Sequence, residues 1–240
     1  MSGGYFITGT DTGVGKTVVA AAVLRALCEA GHDVAYMKPV QTGCVQDDNR
    51  RIVPDLEYAY RLAGLSVPRA DSELLCPYRF LMPASPHLAA ARESVEISTD
   101  TIMDAYEQLT ARHAMLIVEG AGGVLVPLNG GQTMIDLMQR MDLPVIVACR
   151  AGLGTLNHTL LTLRALRRDG LTVAGLVMVQ TAPGSWGDIE SDNEATLRRL
   201  GQAPVLGRIM YHPALADETA DAAIFSACLN SDLIHAFQSL

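Results

Sequence analysis

Short apolar runs alternate along this chain with longer stretches in which apolar residues return every three or four positions. The runs Tyr5–Thr8, Asp33–Lys38, Met115–Val118, Pro144–Cys149, Val173–Val179 and Val205–Ile209 read as buried strands. Helices are predicted over Thr17–Ala30, Leu56–Ala63, His87–Ala91, Thr99–Arg112, Met134–Met141, Thr155–Arg168 and Ile189–Leu200. Gly31, Gly64 and Gly170 stand where the first, second and sixth of these should close. The Pro-containing stretch from Leu65 to Pro86 is expected to be irregular. Strands alternating with helices imply parallel βαβ units. The expected fold is therefore α/β, a doubly wound and mostly parallel sheet with helices on both faces. With no repeat, low-complexity tract or linker, residues 1–240 are expected to form a single domain.

Composition narrows the class. Hydrophobic residues make up 49% and charged ones 18%, and one Trp and four Phe leave a core built of Leu, Val, Ala and Met, as in helix-covered parallel sheets. The net charge of −8 disfavours non-specific attraction to nucleic acid or anionic membranes. No uncharged apolar run is long enough to span a bilayer, and the N-terminus enters a strand almost at once, which argues against a secretory signal. Cys28, Cys44, Cys76, Cys149 and Cys228 are scattered, odd in number and form no C-x-x-C pair, as expected of reduced thiols in a cytoplasmic protein. The histidines show no metal-ligand spacing; His87, His158 and His212 read as surface or helix-cap residues.

Chemistry enters between the first strand and the first helix. Gly9-Thr-Asp-Thr-Gly-Val-Gly15-Lys16-Thr17 reads as a phosphate-binding loop of the P-loop NTPase type. Backbone N–H groups at such a turn converge on an anion, with Gly13, Val14, Gly15 and Val18 around it. Lys16 supplies a mobile positive charge and the Thr17 hydroxyl suits a Mg²⁺ ligand. Five residues separate Gly9 from Gly15, one more than the usual loop, and no lysine occurs near the loop's start.

In doubly wound sheets ligands bind beyond the carboxyl ends of the strands. Five polar or glycine-rich segments fall there and are expected to share one crevice: Gly9–Thr17, Lys38–Gly43, Glu119–Gly123, Arg150–Asn157 and Val179–Gly184. Lys38, at the end of a buried strand, reads either as a snorkelling surface lysine or as a second cation facing the phosphates, with Thr42 close behind it. Glu119 reads as a Mg²⁺-binding carboxylate or as a helix-cap or turn carboxylate. Asp55, at a helix start, is an N-cap or a metal ligand. Gly152-Leu-Gly154-Thr155-Leu156-Asn157 opens a helix and is either an anion site or an ordinary turn.

Taken together, these residues resemble the dethiobiotin synthetase family. The carriers of the resemblance are the loop, Lys38-Pro-Val-x-Thr-Gly43, Ser85-Pro-His-x-Ala-Ala, Val118-Glu-Gly-Ala-Gly-Gly123, Leu143-Pro-Val-Ile and Gly152-Leu-Gly-x-x-Asn-His158, in order over nearly the whole chain. The resemblance implies a homodimeric enzyme that uses ATP, Mg²⁺, CO₂ or bicarbonate, and 7,8-diaminononanoate. It implies metal ligands at Thr17, Asp55 and Glu119. Carbamate and phosphates would be surrounded by Thr12, Lys16, Lys38 and Thr42. The nucleotide would lie along Gly13–Val18, Glu119, Gly120 and Gln180. The substrate would meet Thr42 and Gly122, and its carboxylate would meet the Gly154–Asn157 helix start of a partner subunit. The chain departs from the family at Gly13, at Val179 where a base-contacting Asn is usual, and at Met210 where Pro is usual. A family tyrosine near the substrate carboxylate falls near Asn193.

Two rival readings share the loop. Switch ATPases of the chromosome-partition and septum-placement type carry an extra lysine at the loop's start, where this chain has Thr10, Asp11 and Thr12. The synthetase half of a cobyrinate-type amidotransferase would need a glutaminase domain, for which 240 residues leave no room.

Overall fold

The computed structural model describes residues 3–48 and 50–238. In chain order the elements begin β1 (Gly3–Gly9), α1 (Lys16–Glu29), β2 (Val34–Met37), β3 (Val40–Thr42), β4 (Val45–Asp47), β5 (Arg50–Ile52) and α2 (Pro54–Leu62). A 3₁₀ turn at Arg69–Asp71 leads into α3 (Ser72–Leu75), β6 (Tyr78–Phe80), α4 (Pro86–Arg92), α5 (Thr99–Thr110), β7 (Met115–Gly123), α6 (Met134–Met141) and β8 (Val145–Arg150). Then come α7 (Thr155–Arg168), β9 (Val173–Val179), α8 (Asp188–Leu200), β10 (Val205–Ile209), α9 (Pro213–Ala216), α10 (Ala222–Cys228) and α11 (Ser231–Gln238).

Six strands form the main sheet in the order β10-β9-β8-β1-β7-β2, every pairing parallel, with helices around it. This is the expected doubly wound α/β architecture. β1 lies at its centre: Phe6 sits opposite Val118 on one side and Val145 on the other, and all three are fully buried. After β1 the chain builds toward β2 and β7, then crosses back to lay β8 on the other side. β1 therefore marks the switch point at which such sheets open a crevice.

Helix α1 is buried nearly all round because it lies between the sheet and α2 and α11. That explains its Ala-rich sequence: small side chains let two layers approach one helix. The predicted strands and helices each appear within a few residues of their expected bounds, with one extension. β7 runs on through Glu119 to Gly123, and Gly9 pairs with Gly123. Glycines that read as a loop thus continue the ladder.

The stretch from Leu65 to Pro86 is less irregular than expected, holding the 3₁₀ turn, α3 and β6. The two small sheets, β3 with β6 and β4 with β5, are built of three-residue strands, too short to show periodicity. The five cysteines are all free. No described helix is long and apolar enough to cross a membrane.

Candidate active site

Strand register creates the site. β2 and β7 run parallel with Met37 opposite Val118, so the next residues, Lys38 and Glu119, arrive abreast. On the other flank of β7, Glu119 lies opposite Ile7, two residues before β1 gives way to the loop. One lysine and one glutamate are thereby delivered beside the phosphate loop by backbone pairing alone.

The loop itself is tightly fixed. Gly15 caps α1 with φ at 95°, and a Cβ there would stand 2.8 Å from Val179 Cγ1. Glycine is therefore required both by the left-handed backbone and by close packing. Lys16 opens α1, is 7% exposed, and donates from Nζ to the Asp11 carbonyl at 2.9 Å. Its pKa is lowered to about 8, first by burial and then by the nearby Lys38 charge. The free N–H groups of the α1 N-terminus and this lysine make an anion cradle.

Behind the loop lies a buried charge cluster. Lys38, 4% exposed, donates to Glu119 Oε1 at 2.5 Å and to the Gly120 carbonyl at 3.3 Å, and lies 2.7 Å from Asp55 Oδ2. Glu119 also accepts from the Thr17 hydroxyl at 3.1 Å and from the Tyr36 hydroxyl at 2.7 Å. Burial alone would lower the Lys38 pKa, but Asp55 and Glu119 more than reverse this and raise it. Burial acts to raise the Asp55 pKa, and Lys38, followed by Lys16 and the Gln41 amide, brings it below its ordinary value. The Tyr36 phenol is pushed well up, by burial first and then by the Glu119 charge. Lys38 is thus no snorkelling surface residue, and Asp55 is no helix cap, since Val53 holds the N-cap position of α2.

The cluster and the loop face one cavity of about 780 Å³. From the loop it is lined by Thr12, Gly13, Gly15, Lys16, Thr17 and Val18, and from the segment after β2 by Lys38, Gln41 and Thr42. Asp55, Glu119 and Gly122 line it from α2 and β7, and Gln180 with Met210 from beyond β9 and β10. Val14 is buried beneath the loop, and Gly120 meets Lys38 through its carbonyl. Thr17, Asp55 and Glu119 offer an oxygen-only donor set of two carboxylates and a hydroxyl, chemistry that fits Mg²⁺. Among the described residues no group of three His, Cys, Asp or Glu could hold a metal ion.

Four of the five segments expected at the crevice line it, and the fifth does not. After β8 the Gly154–Asn157 helix start lies apart from the cavity. Thr155 is buried against Thr159, Leu156 is half-buried and Asn157 is exposed. Asn193 does not stand free: it is buried and donates to the Ala151 and Gly152 carbonyls at 2.9 and 3.2 Å, holding that loop in place. Gln180 is engaged too, donating to the Gly184 carbonyl at 2.8 Å and accepting from the Tyr211 N–H at 3.3 Å. Sequence reasoning missed Tyr36 and Gln41. The available signal was a polar side chain inside or just beyond a wholly apolar strand, which must find a partner when buried.

A parallel sheet switching direction at a glycine-rich phosphate loop, with two lysines and two carboxylates in its crevice, defines a nucleotide-using P-loop enzyme. An AAA domain family model matches residues 3–219. The chain belongs to the dethiobiotin synthetase family. It is 43% identical over 213 residues to the ATP-dependent dethiobiotin synthetase BioD of Anaeromyxobacter dehalogenans (strain 2CP-C), covering 89% of this chain and 92% of that one. It is 37% identical over 232 residues to the protein of that name from Thermodesulfovibrio yellowstonii, covering 93% and 95%. Solved structures resemble it in fold alone. One is a ParA family ATPase from Chlorobium tepidum, with TM-score 0.58, 13% identity, and coverage of 100% of this chain and 98% of that one. Another is the septum site-determining protein MinD from Pyrococcus horikoshii, with TM-score 0.60, 16% identity, and coverage of 99% and 93%.

Proposed function

We propose that the 240 residues act as one ATP-dependent cyclo-ligase domain that makes dethiobiotin from 7,8-diaminononanoate, CO₂ and ATP. The observation that carries the reading is the buried Lys38, held between Asp55 and Glu119 at the wall of the loop's cavity. One amine of the substrate forms a C–N bond to CO₂ and loses a proton, giving a carbamate. A carbamate oxygen attacks the γ-phosphorus and breaks its bond to ADP. The second amine attacks the carbamoyl carbon, expels phosphate and closes the ureido ring.

The chain's own residues meet the electrostatic demand of the second step. Two anionic charges roughly 4 Å apart repel by about 4 kcal/mol at an effective dielectric near 20. Lys16 and Lys38 offset that repulsion and hold the transferring phosphoryl oxygens, with the Thr12 and Thr42 hydroxyls as further donors. Glu119, fixed by Tyr36 and Thr17, keeps the Lys38 ammonium aimed and charged. Gly13–Val18 present backbone to the phosphates, and Glu119, Gly120 and Gln180 complete the nucleotide side. Mg²⁺, held by Thr17, Asp55 and Glu119, would supply charge neutralisation on the β- and γ-phosphates. Ring closure is intramolecular, so positioning contributes much of its rate.

The enzyme acts as a homodimer in the cytoplasm, without nucleic-acid or membrane partners. Gly154, Thr155, Leu156 and Asn157 lie outside their own chain's cavity, and Leu153 beside them is 93% exposed. A second copy would bring the N-terminus of α7 to the substrate carboxylate and Gly122. The reading is tested by supplying ¹³C-bicarbonate with ATP and the diamine. The label appears in the ureido carbonyl of dethiobiotin, with one ADP and one phosphate per product; product lacking label overturns it.

A further inference from the structure

Gln41 lies on β3 between Val40 and Thr42, is 7% exposed, and lines the cavity. Its Nε2 donates to the Thr42 carbonyl at 2.9 Å and faces the Asp55 carboxylate. Both neighbours are acceptors, which fixes the orientation of the amide: rotating it would place Oε1 against two oxygens. Oε1 is left buried and accepts no hydrogen bond from any described residue. A buried acceptor without a donor is unfavourable, because the water it gave up is not replaced. Such a group, carried by a residue of the cavity wall next to Thr42 and beside the Asp55–Lys38 pair, selects for a ligand that brings an N–H.

We infer that Gln41 Oε1 accepts a hydrogen bond from an amine of the bound diamine and so orients that nitrogen at the reacting centre. The inference rests on the dethiobiotin-forming reading and deepens it. Among the reacting groups the triphosphate chain and CO₂ present acceptors only. The two amines are the donors whose position decides which nitrogen captures CO₂ and whether the other can close the ring. The amide meets a neutral amine or a carbamate N–H equally well. A carboxylate at this place would favour an ammonium, which cannot act as a nucleophile. Gln41 is a positioning residue here, and the chemistry belongs to the groups around it.

The test compares wild type with Gln41→Met, which keeps length and flexibility but removes the acceptor. Dethiobiotin formation is followed while diaminononanoate, ATP and Mg²⁺ are varied one at a time. The KM for the diamine is expected to rise roughly tenfold or more, while those for ATP and Mg²⁺ stay within about twofold. An unchanged diamine KM overturns the inference. A raised Mg²⁺ requirement with an unchanged diamine KM also overturns it, since the donor is then a metal-bound water. A crystal structure of the wild type with diaminononanoate gives a second reading that needs no variant. One amine nitrogen is expected within about 3.2 Å of Gln41 Oε1, and both amines lying elsewhere contradict the proposal. Absence of dethiobiotin from the wild type is a different failure, that of the reading itself.

Discussion

The Lys38 ammonium lies 2.5 Å from Glu119 Oε1, with side chains 4% and 1% exposed. Breaking such a pair from one side leaves a buried charge uncompensated. Lys38→Ala is expected to lower turnover at least about a hundredfold, roughly 2.7 kcal/mol of transition-state stabilisation. It also removes the ammonium that pairs with both Asp55 and Glu119. The melting temperature of the variant should fall, and millimolar Mg²⁺ should restore more of it than it adds to wild type. Near-normal turnover in Lys38→Ala would remove this lysine from the chemistry.

Tyr36 extends the same cluster inward, its hydroxyl 2.7 Å from Glu119 Oε2. A hydrogen bond to a charged group contributes about 1.5–3 kcal/mol. Tyr36→Phe should lose stability in that range in urea unfolding and lower kcat by misaligning Glu119 and Lys38. A variant equal to wild type in both would show that Thr17 and Lys38 alone fix the carboxylate.

Lys16 titrates near pH 8 in the free site because burial and Lys38 disfavour its charge. Phosphates favour that charge, so ATP binding raises the pKa and draws in a proton. Calorimetry at pH 8 in buffers of different ionisation enthalpy should show about half a proton taken up. The affinity should weaken about tenfold as the pH is raised from about 7 to 9. Lys16→Met should show neither effect. No proton uptake by the wild type would mean Lys16 is already fully charged before ATP arrives.

At the base end, Val179 offers no hydrogen bond and packs against the Gly15 backbone. The Gln180 amide is occupied by Gly184 and Tyr211. Where Val179 and Gln180 offer the base no free side-chain hydrogen bond, they discriminate only weakly. The other three nucleoside triphosphates should therefore support dethiobiotin formation with kcat/KM within about a hundredfold of ATP. A preference of ten-thousandfold would require a base-reading group elsewhere, and Met210 to Leu215 is where it would be sought.

The central sheet was legible because each of its strands is an apolar run bounded by breakers, and Gly9–Thr17 announced the loop. Lys38 and Glu119 could be suspected from their place after such runs, and their adjacency came from register, which no single strand encodes. Gln41 and Tyr36 were hidden for a different reason. Their significance lies in which atom is satisfied and by whom, a property of packing rather than of pattern. The resemblance to partition and septum ATPases in fold could mislead about activity. The loop distinguishes them, since Thr10, Asp11 and Thr12 stand where the switch proteins' extra lysine would be.

The account is tested most directly by ATP turnover measured with diaminononanoate and bicarbonate together, and with each omitted. ADP release should match dethiobiotin formation mole for mole and fall to background without the diamine, with neither DNA nor lipid vesicles able to replace it. Turnover that continues unchanged when the diamine is left out would contradict the ligase assignment.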